Sequence, residues 1–425
     1  MTLTRQHIET NRRTISLLAG LCFFLSLLEY MVPKPLPFIR LGLANLPLLL
    51  ALDILPFPSF MLLAGLKVTG QALISGTLFS YVFLFSLVGT GVSALLMYAL
   101  RWGLGTRISF IGVGAAGAMA SNAATLVLAY FFIFGESIRY AAAPILALGI
   151  VTGTLLGFFC ESFTRRSFWY AGVLSGQKKT EVSPDQDETN KNPRAANNTS
   201  SEKCLERFRK AREAFCLKTF DSGDLTLAGL CMIPALLLSP VPHARVLLFL
   251  FFWLLAWLSG KKNSFLLTFI IMLGIVFFNL LVPYGELLFS FGPLRVTSGA
   301  LLGGINRAVT LEGLFMLSRF CVRRDLTIPG VFGEIAGESF RIFSDLTEEK
   351  RLFKGGNWIR GLDRLLINNC LTNSCLTNDC LTNSGRNQSN EVIAKREKDR
   401  KLPGRIILIV VVILVWFPFL LSVCF

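Results

Sequence analysis

Charge is scarce in this sequence. Of its 425 residues, 16% are Asp, Glu, Lys or Arg and 53% are hydrophobic, with a mean hydropathy of +0.57. Soluble chains carry about a quarter charged residues, so the class left is an integral membrane protein. Histidine is nearly missing, with His7 and His243 alone. The ten cysteines show no C-x-x-C spacing, and Cys22, Cys160, Cys231 and Cys424 lie in apolar runs. That excludes a disulfide framework and a structural zinc site, so no metal and no cofactor are expected. A G-x-x-x-x-G-K-[ST] phosphate loop is lacking, which excludes ATP hydrolysis by that route. No D-D-x-x-D pair is present to hold magnesium and diphosphate, and the nearest acidic run is DQDE at Asp185. The expectation is a protein that is not an enzyme.

What is there is apolar sequence in long blocks. A polar stretch, Thr164 to Asp224, separates two of them, and each block is cut by charged or Pro/Gly-rich turns into pieces near bilayer length. A second polar segment, about Cys321 to Lys401, precedes a last apolar tail. The formal charge of +15 comes mostly from Lys and Arg beside the apolar pieces, where cytoplasmic loops gather them. The expected partner of this charge is therefore the lipid bilayer, and no nucleic acid.

In the first block, spans are expected at Thr14–Val32, Ile39–Leu55, Ser59–Gly76, Leu78–Leu100, Ile108–Phe134 and Ala141–Phe163. The breaks are PKPLPF, PFP, a Gly76–Thr77 turn, RWGLGTR and GESIRY, rich in residues that stop helices. The basic N-terminus before the first run resembles a signal peptide. The run is span-length, however, and no small-residue cleavage site precedes Pro33, so an uncleaved helix is expected. With the N-terminus inside, Arg5, Arg12, Arg13, Arg101, Arg107, Arg165 and Arg166 are cytoplasmic, against Lys34, Arg40 and Arg139 outside.

Polar groups within spans are the candidate site. Lys67 lies near the middle of the third span, with Gln71 one turn on along the same face. An ammonium at that depth costs about 2.5–3.5 kcal/mol, so it faces a cavity, a partner or a ligand. Asn45 and Asn122 sit in the second and fifth spans; for each amide the competing reading is an interhelical hydrogen bond. Glu29 and Asp53 lie near span ends, where simple solvation would account for them. Gly112, Gly114 and Gly117 form a G-x-G-x-x-G, but inside an Ala/Gly/Ser run with no strand before it. Close helix packing by small residues explains it better than dinucleotide binding.

The runs LEYMVPKPLPFIRLGLANLPLLLAL (from Leu28), LLAGLKVTGQALISGTLFS, AGAMASNAATLVLAY and ILALGIVTGTLLGF resemble the Gx transporter family, also labelled heptaprenyl diphosphate synthase component I. The most specific part is Arg40-Leu41-Gly42-Leu43-Ala44-Asn45. The resemblance implies a six-helix substrate-binding (S) component of an energy-coupling factor (ECF) importer, covering residues 14–163. Where an Arg is expected of that family in the third span, this chain has Lys67, which keeps the charge without the planar fork.

From Gly176 to Ser201 the composition is that of a disordered tether. Glu202 to Lys218 reads as an amphipathic helix on the anionic leaflet, with partner binding as the alternative. Four more spans are expected at Leu225–Leu238, Ala244–Leu258, Ser264–Val282 and Val296–Phe320, with a fifth at Arg405–Leu421. Arg307 and Glu312, inside the fourth, should be buried against another span. Two amphipathic stripes follow it: Phe332, Ile335, Ser339, Ile342, Phe343 and Leu346, then Trp358, Leu362, Leu365 and Leu366. CLTNSCLTNDCLTNS, from Cys370 to Ser384, repeats every five residues and reads as a tolerant linker. The order of spans, and TSGALLGGINRAVTLEGLFMLSR (Thr297 to Arg319) in particular, resemble the transmembrane coupling (T) component of ECF importers. That implies cytoplasmic helices that dock on separate ATPase subunits, for which Ile359-Arg360-Gly361 offers Arg360.

The reading is thus an all-α integral membrane protein: a six-helix S-component-like bundle (1–170), a cytoplasmic linker (171–223), a second helical membrane domain (224–320), a cytoplasmic coupling-like segment (321–404) and a final helix (405–425). The expected function is capture of a small-molecule substrate, through Asn45, Lys67, Gln71 and Asn122, within an importer of the bacterial cytoplasmic membrane. The alternatives are an accessory membrane component of isoprenoid synthesis and a scaffold that transports nothing.

Overall fold

The computed structural model describes residues 2–31, 42–175, 212, 216, 219–239, 241–261, 264–291, 294–323, 330–348, 363, 366–367 and 402–424. The expected tether, most of the amphipathic helix at 202–218, the five-residue repeat, Arg40 and Arg360 lie outside them.

The first half is built from α1 (Thr2–Met31), a 3-10 turn (Leu43–Asn45) leading into α2 (Leu46–Ala51), α3 (Phe57–Ser75), α4 (Tyr81–Leu104), α5 (Phe110–Ala129), a π turn (Tyr130–Phe134), α6 (Ile138–Arg166) and the short α7 (Phe168–Ser175). The breaks follow the chain's own chemistry. Gly76 closes α3 at φ 68°, its N–H donating to the Ala72 carbonyl, a left-handed cap that glycine adopts without a Cβ clash. Ser109 opens α5 by accepting from the Gly112 amide.

The second half holds α8 (Ser222–Leu238), α9 (Pro242–Leu258), α10 (Phe265–Leu280), an antiparallel hairpin of β1 (Leu287–Phe291) and β2 (Leu294–Thr297), α11 (Ser298–Cys321), α12 (Val331–Glu348) and α13 (Leu402–Cys424). Among the described residues five stretches are long and apolar enough to cross a bilayer: Asn11–Glu29, Phe57–Ser75, Tyr81–Leu104, Phe110–Arg166 and Ser298–Cys321. The fold is that of an all-α membrane protein, and the two-stranded hairpin is a small departure from the expected purely helical chain.

One expected span is much shorter than its apolar run. Within Ile39–Leu55 the described helical residues are 43–51, with turns at 52–54. Such a piece rises roughly 14 Å, half of the roughly 30 Å hydrocarbon core. Its residues from Leu46 to Ala51 are all buried inside the protein. Hydropathy is the same whether an apolar helix meets lipid or other helices, so the run alone could not separate the two.

Two cores and a seam hold the chain together. The first core joins α1, α2, α3 and α6, with Phe23, Phe24, Phe60 and Phe163 at most 1% exposed. The second joins α8, α9, α11 and α13 around Met232, Phe252 and Leu317, and Arg405 on α13 reaches Asp224 on α8 at 2.6 Å. The seam joins the halves: Phe134, after α5, packs against Phe278 of α10 with ring centroids 5.0 Å apart and the rings tilted by 57°.

Helix α12 belongs by sequence to the second half but packs on the first. Its expected stripe is the face it buries, with Ile335, Ser339, Ile342 and Leu346 all at 3% exposure or less. Gly20 of α1 admits it closely: a Cβ there would lie 2.9 Å from Ile342 Cγ2. Phe340 meets Phe23 at 4.9 Å between centroids. Arg12 pairs with Glu334 at 2.9 Å, and Ser16 Oγ donates to Glu338 at 2.9 Å. Near the same end, Asp363 accepts from the Ser167 hydroxyl and from the amides of Phe168 and Trp169, capping α7.

Candidate functional site

The four expected site residues come from three elements, the turn before α2, α3 and α5, and meet at one cavity. Gly42, at φ 79°, turns the chain so that the Asn45 amide donates to the Gly42 carbonyl at 2.8 Å. This presents Asn45 at the start of α2, facing α3. Lys67 of α3 is 4% exposed; its Nζ donates to Asn45 Oδ1 and to Thr90 Oγ1 of α4, the latter at 3.3 Å. Gln71, one turn on, lines the same cavity, and its buried Oε1 has no hydrogen-bond partner among the described residues. A buried amide oxygen without a donor is costly, of the order of 1–3 kcal/mol, and it marks a place where a ligand or water donor fits.

Asn122 of α5 also lines the cavity. Its Nδ2 donates to the Ile145 carbonyl of α6 at 2.9 Å, so the interhelical bond weighed for this amide is present. Gly149 makes the approach possible, since a Cβ there would lie 2.3 Å from Asn122 Nδ2.

Glu29 was expected to be solvated at a span end. It is instead 3% exposed and lines the cavity. The reason is packing: the end of α1 lies inside the bundle rather than at its surface. Hydroxyls of Ser86, Thr90, Ser121, Thr125 and Thr152 complete the polar wall. Sequence reasoning passed over these because hydroxyls are common in membrane helices and bond to their own backbone; a carboxylate within an apolar run was the signal that could have found Glu29. The cavity measures about 40 Å³, room for a few waters, so taking up a metabolite requires its walls to part.

Asp53, the other acid thought to be solvated, is paired at the opposite end of the bundle. It receives Arg101 Nε and Nη2 at 2.7 and 2.6 Å, a bidentate fork, and the Tyr170 hydroxyl at 3.3 Å. Burial, with the Asp53 carboxylate adding to it, pushes the Tyr170 phenol above its ordinary value, so it remains a donor. This cluster clamps the chain after α2 to the ends of α4 and α7, away from the cavity.

The G-x-G-x-x-G run is a packing surface. A Cβ on Gly114 would lie 2.7 Å from the Gly153 carbonyl of α6, and one on Gly117 would lie 2.6 Å from Met97 of α4. At the seam, Arg307 of α11 donates to Asn279 Oδ1 at 2.8 Å and to the Ile133 carbonyl in the π turn at 3.2 Å. Asn279 Nδ2 donates to the same carbonyl at 3.2 Å. Glu312, 1% exposed, is buried as expected.

Residues 18–163, which run from α1 to the end of α6, match the family model described as heptaprenyl diphosphate synthase component I, the Gx transporter family. Residues 225–324 match the model of a domain of unknown function. No curated protein and no solved structure matches the chain.

Proposed function

We propose that this chain is the membrane subunit of an ECF-type importer, in which the first bundle captures a small polar metabolite and the second half couples it to separate ATPase subunits. The observation that carries this reading is the cavity at which Asn45, Lys67, Gln71 and Asn122 meet, inside the region matched by the Gx transporter family. Buried polar groups within an apolar bundle are expensive unless something uses them, and a polar cavity walled by α1, α3, α4, α5, α6 and the turn before α2 is suited to a hydrophilic solute.

The coupling half of the reading is supported by α12. It lies along the middle of α1, through contacts at Arg12, Ser16 and Phe23, while Glu29 near the C-terminal end of α1 lines the cavity. One helix therefore joins the cavity to a surface held by the second half, and movement of α12 would be transmitted along it. On this reading Arg360, beyond α12, faces the ATPase subunits, and the N-terminus lies in the cytoplasm of a bacterium.

The test uses the full chain purified from its native membrane. ATPase subunits should co-purify with it, and their absence removes the coupling role. Thermal unfolding in the presence of a native metabolite extract should shift upward for the wild type and not for Gln71→Met, whose unliganded stability should be unchanged or higher because it removes an unpaired buried oxygen. A Gln71→Met protein that responds like the wild type overturns the site.

A second reading follows from the description of the matched family, heptaprenyl diphosphate synthase component I. In it the chain is an accessory membrane component of prenyl diphosphate synthesis, and deletion of α1–α6 would abolish a co-purifying prenyltransferase activity. A scaffold without transport would show neither ligand stabilisation nor that activity.

A further inference from the structure

Helix α11 lies across one end of the first bundle. Helices α4 and α5 run antiparallel, with Gly89 beside Ser121 and Gly117 beside Met97, so the α3–α4 turn and the chain after α5 share that end. Arg307 of α11 donates to the Ile133 carbonyl at 3.2 Å, and Ala308 and Leu311 share a buried cluster with Tyr81 and Phe85 of α4. Further on, the fully buried Ser318 takes hold of the α3–α4 turn itself. Its hydroxyl donates to the Gly76 carbonyl at 2.8 Å and accepts from the Phe79 amide at 3.0 Å. Phe79 in turn enters the second core, where a Cβ on Gly229 of α8 would lie 3.0 Å from its ring.

The turn is stiffened from within. The Ser75 hydroxyl donates to the Gln71 carbonyl at 2.7 Å and lies 2.8 Å from the Thr77 hydroxyl, and the Ser80 hydroxyl donates to the Thr77 carbonyl at 2.8 Å. Gln71 before the turn and Phe85 after it both line the cavity, each about one and a half helical turns away. A displacement of the turn therefore reaches two walls of the cavity at once. We infer that Ser318 is a positioning residue, through which α11 holds the α3–α4 turn and keeps these walls together, and that the cavity widens when α11 withdraws. This rests on reading the cavity as the substrate site, and it gives the halves a second route of coupling beside α12. It also gives a role to the stretch 225–324, which matches a domain of unknown function. Two neutral hydrogen bonds suit a contact that is broken and remade, since each is modest in net strength, whereas a buried ion pair is costly to part.

The experiment is hydrogen exchange of the full chain in lipid nanodiscs, read by mass spectrometry. Ser318→Ala should speed exchange at least about fivefold over 67–73 and 83–90, the stretches that wall the cavity. Arg307→Met, which loosens the other end of the same contact, should leave those stretches unchanged. No acceleration there, acceleration confined to 76–80, or an equal effect of both variants makes Ser318 a simple fastener and overturns the inference. The unaltered chain supplies a second measurement that does not depend on the folding of any variant. Native metabolite extract that raises its unfolding temperature should also change exchange over 314–321 by about twofold or more. A raised unfolding temperature with no change at 314–321 overturns the inference but leaves substrate capture standing, and a change confined to 331–348 leaves α12 as the route. If the extract does not shift the unfolding temperature, the substrate-site reading falls and this inference falls with it.

Discussion

The cavity of the first bundle and the seam between the halves contain similar side chains put to different use. Each has a cation and amides within apolar helices: Lys67, Asn45, Gln71 and Asn122 in one, Arg307 and Asn279 in the other. At the seam the donors are spent on protein acceptors, with Arg307 and Asn279 both serving the Ile133 carbonyl and Arg307 also bonding Asn279. In the cavity Lys67 and Asn122 also donate to protein acceptors, Asn45 Oδ1, Thr90 Oγ1 and the Ile145 carbonyl, but Gln71 Oε1 has no partner among the described residues. The lesson is that a buried polar residue in a membrane helix is a fastener where its bonds close on the protein and a binding group where they do not.

The comparison can be broken most strongly by removing charge. Lys67→Met takes the charged donor from Asn45 Oδ1 and Thr90 Oγ1 and should cost about 1.5–3 kcal/mol, as read by thermal unfolding in nanodiscs. An unchanged unfolding temperature would show that these bonds do not hold α2, α3 and α4 together. Next in size is the contact that shapes the cavity wall. A Cβ on Gly157 of α6 would lie 2.5 Å from the Phe110 carbonyl and Ile111 Cα, backbone that cannot swing aside. Gly157→Ala should therefore cost about 1–3 kcal/mol by forcing α5 and α6 apart.

The seam follows in size. Arg307→Met removes donors from Asn279 and Ile133 and should cost about 0.6–1.7 kcal/mol. Adding Asn279→Leu should deepen the loss, because the Ile133 carbonyl then loses both side-chain donors. Recovery in that double variant would mean that the Ile133 carbonyl does not need these side-chain donors. The smallest effect belongs to α12: Arg12→Ala breaks an exposed pair with Glu334 and should cost about 0.2–1 kcal/mol. Hydrogen exchange across 331–348 should stay slow, since the apolar stripe holds the helix.

Much of this is legible in the sequence. The Pro, Gly and charged breaks delimit α3, α4, α5 and α6 to within a few residues, because helix stops are local chemistry. The α12 stripe could be read from its spacing, which shows a helix with one apolar face. What that face covers could not be read, and α1 turned out to meet it. Lys67 and Gln71 stood out by depth and shared face. Glu29 did not, since a residue's distance from the end of an apolar run says nothing of whether that end is wrapped by neighbours.

Sequence by itself determined that this chain is a membrane protein, where most of its helices begin and end, and which polar residues sit too deep to be idle. Those properties follow from hydropathy, backbone preference and the cost of burying charge, all of which act over a few consecutive residues. Tertiary structure alone decided that Asn45, Lys67, Gln71, Asn122 and Glu29 share a cavity while Arg307 and Asn279 are consumed at a seam. Whether a polar atom is satisfied depends on helices far away in the chain, and no local rule carries that information.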